Sequence, residues 1–337
     1  MTEAILSVEM DSSSHKALQD LIEDILDDLD EVIEASDLEV VLIALEYGWK
    51  QLPDKETEWE EYEEETWMLF DDLQQARLNV LERQNRTEEF LQLAQAADMH
   101  RYTLKLLDLG RVDDAIAASR ELEDNGEILS VAQKLRQLGK INDAVALAAR
   151  GLDQQGYRLH ELALWLAPLE ESLGRKEMAL LAYRTSYDTH PSIEIYRRLK
   201  RLSGSNWEKL RPALVQQVID DASNPGIMVD IHLEEQEWDA AITIAEKQTW
   251  AYNLLEKVAD TVITSRPDWV IRVALKQADA LIVKTQSNLY PTAAKWLERA
   301  RKAYLHKGQA TEWQAYIANL RITYARRPAL QKAIANL

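Results

Sequence analysis

Leu109-Gly110-Arg111-Val112-Asp113-Asp114-Ala115-Ile116 comes back almost unchanged as Leu138-Gly139-Lys140-Ile141-Asn142-Asp143-Ala144-Val145, and a third time as Leu173-Gly174-Arg175-Lys176-Glu177-Met178-Ala179-Leu180. The three glycines are 29 and 35 residues apart, the length of one helix-turn-helix unit. Each part of the motif has a mechanical reading. Glycine ends a helix in the left-handed conformation that a side chain resists. The leucine before it closes that helix against its neighbour. The basic residue after it meets the last carbonyls, where the helix dipole favours a cation, and the alanine four residues further on is small enough to let the next helix pack closely. The motif predicts an all-α chain, a right-handed α-solenoid of helix-turn-helix repeats, and it specifies architecture and no chemistry.

Outward from these copies the pattern persists. Helices are predicted at 99–109, 111–122, 126–138, 141–153, 158–173, 176–189 and 192–202. Leu202-Ser203-Gly204-Ser205-Asn206-Trp207 is a degenerate copy, and Glu235-Gln236-Glu237-Trp238-Asp239-Ala240-Ala241-Ile242 is a copy without the glycine. Asn224-Pro225-Gly226 is a turn. Pro267 restarts a helix, 291–307 and 310–325 follow, and Pro328 opens a last turn. Toward the N-terminus, Leu18, Ile22, Ile25, Leu26, Leu29, Val32 and Ile33 form an apolar stripe at helical spacing over 14–35. A second helix, capped by Asp37, is stopped by Pro53, and a long one is predicted over 57–84.

Charge divides the chain differently. Residues 1–75 hold 24 acidic residues against Lys16, Lys50 and Lys55, a net of −21, whereas 262–337 hold 13 bases against 4 acids, a net of +9. The organisation read from this is an acidic helical N-terminal extension over 1–75 and the repeat array over 76–337, with a basic C-terminal end. Two candidate interaction surfaces follow. Lys295, Arg299 and Lys302 share a helix face, and with Arg321, Arg326 and Arg327 they could hold phosphates in a stripe or serve as a solvated face. Trp59, Tyr62, Glu63 and Trp67 form an acidic and aromatic surface, within or beside a run of seven Glu in the ten positions 56–65.

The residues of catalysis are not assembled. The chain has no cysteine, which excludes disulfides, thiolate zinc sites and thiol nucleophiles. The six histidines, at 15, 100, 160, 190, 232 and 306, include no pair at i, i+4, and the glycines fall singly, so no phosphate-cradling loop is read. No catalytic, cofactor or metal residue is expected, and the chain reads as a non-enzyme. Met1 to Met10 carry no basic and apolar leader, and the longest apolar block, Val40 to Leu45, is too short to span a bilayer, so a cytoplasmic chain without membrane contact is expected.

Several peptides carry a family resemblance. Leu78 to Leu91, Leu109 to Ile116, Val229 to Leu233 with Trp238 to Ile242, Leu254 to Ala259, Arg266 to Ile271 and Ala294 to Ala300 resemble the helical C-terminal region of bacterial SWIM zinc-finger proteins, over about residues 38–337. The glycine motif itself is of the tetratricopeptide-like kind. The family's zinc finger, a Cys-x-Cys and Cys-x-His arrangement, lies upstream in its members, and no residue here can stand for it. What the resemblance implies is a role in protein or DNA interactions, often in company with a Swi/Snf-type helicase. The expectation is a non-catalytic protein-interaction scaffold. The alternative is a nucleic-acid-associated protein that holds phosphates through its basic C-terminal helices.

Overall fold

The computed structural model describes residues 64–154, 156–220, 224–248 and 252–337. The helices expected over 14–35 and from Asp37 to Pro53, the start of the one expected over 57–84, and most of the acidic extension over 1–75 lie outside these residues. Among the described residues the chain is all helical, without a strand, and no helix is long and apolar enough to cross a membrane. It forms two compact units, one ending at Leu173 and one running from Gly174 to Leu337.

The first unit contains α1 (Glu64–Arg83), α2 (Thr87–Ala97), α3 (Met99–Asp108), α4 (Val112–Ala118), α5 (Asn125–Gln137), α6 (Ile141–Gly151) and α7 (Leu159–Ser172). The charge boundary between 75 and 76 falls inside α1. Helix α4 is shorter than its apolar pattern predicts because residues 119–121 tighten into a 3-10 turn. Asp98 caps α3 by accepting from the Arg101 amide at 2.9 Å, and Asp124 caps α5 by accepting from Gly126 and Glu127 at 2.7 and 3.0 Å. Along the chain α1 packs on α2, α2 on α3, α3 on α4, α5 on α6 and α6 on α7, and α3 also touches α5, as α5 touches α7. Phe90, Leu106, Leu107, Leu122, Ile128 and Leu135 fill the interior.

The second unit contains α8 (Lys176–Thr189), α9 (Ile193–Ser203), α10 (Trp207–Asp220), α11 (Pro225–Glu234), α12 (Trp238–Lys247), α13 (Tyr252–Thr261), α14 (Pro267–Val283), α15 (Tyr290–His306), α16 (Ala310–Thr323) and α17 (Pro328–Ala333). Its most extensive contact is the α14–α15 hairpin. Ala274, Ala278, Ala293, Ala300 and Ala303 are all fully buried on these two helices, and small residues are what allow two helix axes to approach.

The glycine reading is borne out: Gly110, Gly139 and Gly174 have φ of +74°, +76° and +74°. The amide of Gly110 donates to the Leu107 carbonyl at 3.1 Å and that of Arg111 to Leu106 at 2.9 Å, which together satisfy two carbonyls at the end of α3. The same pair of bonds recurs at Asn85, Gly139, Gln236 and Gly308, all with positive φ. Ala115, Ala144 and Ala179 are fully buried, as the motif requires.

Three details of the motif are corrected. Leu109, Leu138 and Leu173 are 45%, 44% and 39% exposed, so they do not close the helix; the interior is sealed one turn earlier by Leu106 and Leu135. The basic residue after the glycine turns forward: Arg111 pairs with Asp114 at 2.9 Å in the first turn of the next helix, and Arg86 pairs with Glu89 in the same way. Its contribution to the preceding carbonyls is made by its backbone amide. Gly204, in the degenerate copy, has φ +53° but ψ −121°, a different turn that runs straight into a 3-10 segment over Gly204–Asn206.

Candidate interaction surfaces

The six basic candidates lie on α15, α16 and the turn before α17, and the fold uses them unequally. Arg299 is 11% exposed on its side chain, holds Asp260 with two bonds of 2.7 and 2.8 Å, reaches Glu256 at 3.2 Å, and stacks over Trp296 at 4.7 Å. Helix α13 thus supplies an acidic clamp that turns this guanidinium into a packing element, and its hydrogen bonds to Asp260 hold its pKa above the usual arginine value. Arg321 donates to the carbonyls of Ile334, Ala335 and Leu337 at 3.1, 3.2 and 3.0 Å, fixing the C-terminal turn. Arg327 donates to the Ile282 carbonyl at 2.8 Å, at the end of α14, and lies over Tyr324. Lys295, Lys302 and Arg326 are exposed and make no ion pair among the described residues.

Of the acidic and aromatic candidates, Trp59, Tyr62 and Glu63 lie outside the described residues, and Trp67 falls within α1, of which only the backbone is described at that point.

A surface that the motif hid emerges at the hairpin corners of the first unit. Leu109 at the end of α3 and Leu138 at the end of α5 occupy equivalent positions with nearly equal exposure, and Ile141, opening α6, is 42% exposed beside Leu138 in sequence. Lys134 bonds Asp108 at 2.6 Å, which ties the last turns of α3 and α5 together and brings the two corners side by side. Arg136 and Lys140 flank Leu138, are exposed, and have no ion pair among the described residues. The signal in the sequence was present, since the leucine repeats, but its direction depends on which face of the last turn meets the neighbour.

The second unit holds a polar cluster that was not anticipated. Tyr196 on α9 donates its hydroxyl to Glu235 at 2.9 Å, Lys200 pairs with Glu235 at 3.0 Å, Arg211 on α10 pairs with Glu237, and His232 Nδ1 lies 2.6 Å from the other Glu237 oxygen. Burial, and the bond to Glu235, push the Tyr196 phenol far above its ordinary value. Burial pushes Glu237 up, but the hydrogen bonds and charges of His232 and Arg211 outweigh it and leave the carboxyl below its usual range. The members pair with one another across three elements around the Gln236 turn, although Arg211 Nε is buried without a partner among the described residues, and this mutual pairing ties α9, α10 and α11 together. A cleft of about 520 Å³ lies between α12, α13 and α14, with Glu246, Arg272, Lys276 and Gln277 on its wall and Trp269 donating to Glu246 at 2.8 Å.

Among the described residues no three histidines or carboxylates come together at metal-holding geometry. The class these observations define is an all-helical protein with hairpin turns of one repeated kind. Compared with known proteins, the chain matches no family model and no curated protein.

Proposed function

We propose that the chain is a non-catalytic, cytoplasmic protein-interaction scaffold, built as a right-handed solenoid of tetratricopeptide-like hairpins. The architecture is supported by the one turn that recurs from Asn85 to Gly308, and by helices that pack on their first and second neighbours along the chain. The observation that carries the function is the pair Leu109 and Leu138, equivalent residues that hairpin packing leaves at 45% and 44% exposure on adjoining corners. An apolar side chain left in water at one position could be incidental to packing; the same one repeated beside a second is a surface, and a partner's apolar face would remove it from water at about 25 cal/mol per Å². The resemblance to SWIM zinc-finger proteins offers a Swi/Snf-type helicase as the class of partner.

The test is capture of partners from native cytoplasm by the parent and by a Leu109→Asp, Leu138→Asp chain. Both positions are exposed, so helicity and melting should be unchanged. Loss of the principal captured protein supports the reading, and its unchanged recovery contradicts it.

A second reading, phosphate binding at the basic end, is favoured by Lys295, Lys302 and Arg326, which stay exposed and without an ion pair among the described residues while their neighbours are held by the fold. It predicts nucleic-acid binding that weakens as salt rises and is lost when those three are reversed to Glu.

A further inference from the structure

We infer that a groove of about 450 Å³ between α8, α9 and α10 of the second unit binds a free single-chain aliphatic anion, a fatty carboxylate by its chemistry. Three helices give it an apolar lining, with Leu180 and Leu181 from α8, Leu199 from α9 and Leu210 from α10. Leu181 is 49% exposed, and the repeat supplies no reason for it. The residue at this position of the motif's first two copies is alanine, Ala117 and Ala146, and both are exposed. Leucine here puts an apolar side chain into water where the same turn and helix elsewhere carry only a methyl group.

The charged side chains in the lining are both cations. Arg184 pairs with Asp188 at 2.7 Å, whereas Lys209 is exposed and has no ion pair among the described residues. Ser203 is buried and donates to the Leu199 carbonyl at 2.6 Å, which leaves Lys209 and Asn206 as the exposed polar side chains of the groove. An apolar floor beside a cation, with no carboxylate in the lining, is complementary to a hydrocarbon chain with one anionic end. The groove is held ready without a ligand. Further along the same two helices, Tyr187 donates to the Leu214 carbonyl at 3.3 Å, and Gln217 donates to the carbonyls of Tyr187 and Asp188 at 3.2 and 2.9 Å, which fixes α8 against α10. Size favours a small molecule over a protein segment: the volume lies within the roughly 300–1,000 Å³ of ligand sites, while eight lining residues fall far short of the roughly 20–30 a side of a stable protein interface.

The test is equilibrium dialysis of radiolabelled decanoate against the full chain, below the concentration at which decanoate forms micelles. The expected result is one saturable site, with affinity rising about twofold to fourfold for each methylene added from hexanoate to decanoate. Leu181→Asp should weaken decanoate binding about tenfold or more. Lys209→Glu should weaken it about fivefold and leave the binding of decan-1-ol, which has the chain without the charge, unchanged. Ile322→Asp, at a 76% exposed position on α16, should alter neither. Helicity and melting of each variant are compared with the parent, and the exposed Lys209 keeps the test decisive if Leu181→Asp loses its fold. Absence of saturable binding overturns the inference, as does indifference of a folded variant to either substitution. Equal losses of decanoate and decan-1-ol in Lys209→Glu overturn it as well, because the anionic end then plays no part. A chain that takes up no decanoate but sediments with phosphatidylglycerol vesicles also overturns it, since the occupant would then be a membrane surface.

Discussion

Gln236 and Gly139 make the same turn: φ is +59° at one and +76° at the other, and the next amide, of Glu237 or Lys140, donates to the carbonyl five residues back at 2.8 or 2.9 Å. A side chain added at Gly139 would meet nothing within 4 Å, so its cost is that of the dihedral alone. Gly139→Ala should therefore destabilise the protein by about 1 kcal/mol, while Gln236→Gly should stabilise it by up to about 1 kcal/mol. Urea unfolding midpoints of the two variants give the signs. Destabilisation by both would remove positive φ as the controlling feature of these turns.

Ala144 is fully buried where α6 meets its neighbours. Ala144→Leu should cost about 1–3 kcal/mol by overpacking, because the neighbouring helices must separate to admit the larger side chain. A melting temperature equal to the parent's would mean that the α5–α6 crossing has room the packing does not reveal.

The parts of the fold legible in the sequence are those set by local rules. A glycine at a helix end and an alanine at a crossing have one mechanical reading each, and Gly110, Gly139, Ala115 and Ala144 follow it. The turn at Gln236 could be reached only through the copy that follows it, because its own residue gives no left-handed signal. Leu109 was misread because a leucine in a last turn looks the same whether it faces the neighbour or the solvent; only the packing of α3 on α5 decides that. Arg299 was legible as a member of a helix face and illegible as a clamp, since Asp260 and Glu256 lie 39 and 43 residues away. The cluster around Tyr196 and Glu237 is of the same non-local kind.

The low pKa of Glu237 fixes a pH dependence. Its folded-state value lies below the unfolded one near 4.5, so the stabilisation is present above about pH 4.5 and fades as pH falls through the lowered folded value. Because the carboxylate is partly exposed, the effect is screened and modest. Glu237→Gln should lower stability at neutral pH and narrow its difference from the parent between about pH 5 and 3. Parallel acid-limb curves for the two proteins would contradict the assignment.

Reversing basic residues should separate clamp from surface. Arg299→Ala should cost about 1–2 kcal/mol, through loss of its charge-assisted bonds to Asp260 and Glu256, with the lower part of the range following from the half-exposed Asp260. Lys295→Glu together with Lys302→Glu should change stability by less than about 0.5 kcal/mol. Thermal unfolding distinguishes them. Equal losses would mean that Lys295 and Lys302 also hold the fold together.

The central claim, that the hairpin corners dock a protein, is tested most directly by the affinity of a captured partner, purified, for the parent and for the Leu109→Asp, Leu138→Asp chain. If both leucines are covered in the complex, each has a little under half of its surface left to bury and contributes about 0.7–1.4 kcal/mol, so Kd should rise by about tenfold or more while helicity and melting stay unchanged. The same Kd for both chains would contradict the claim.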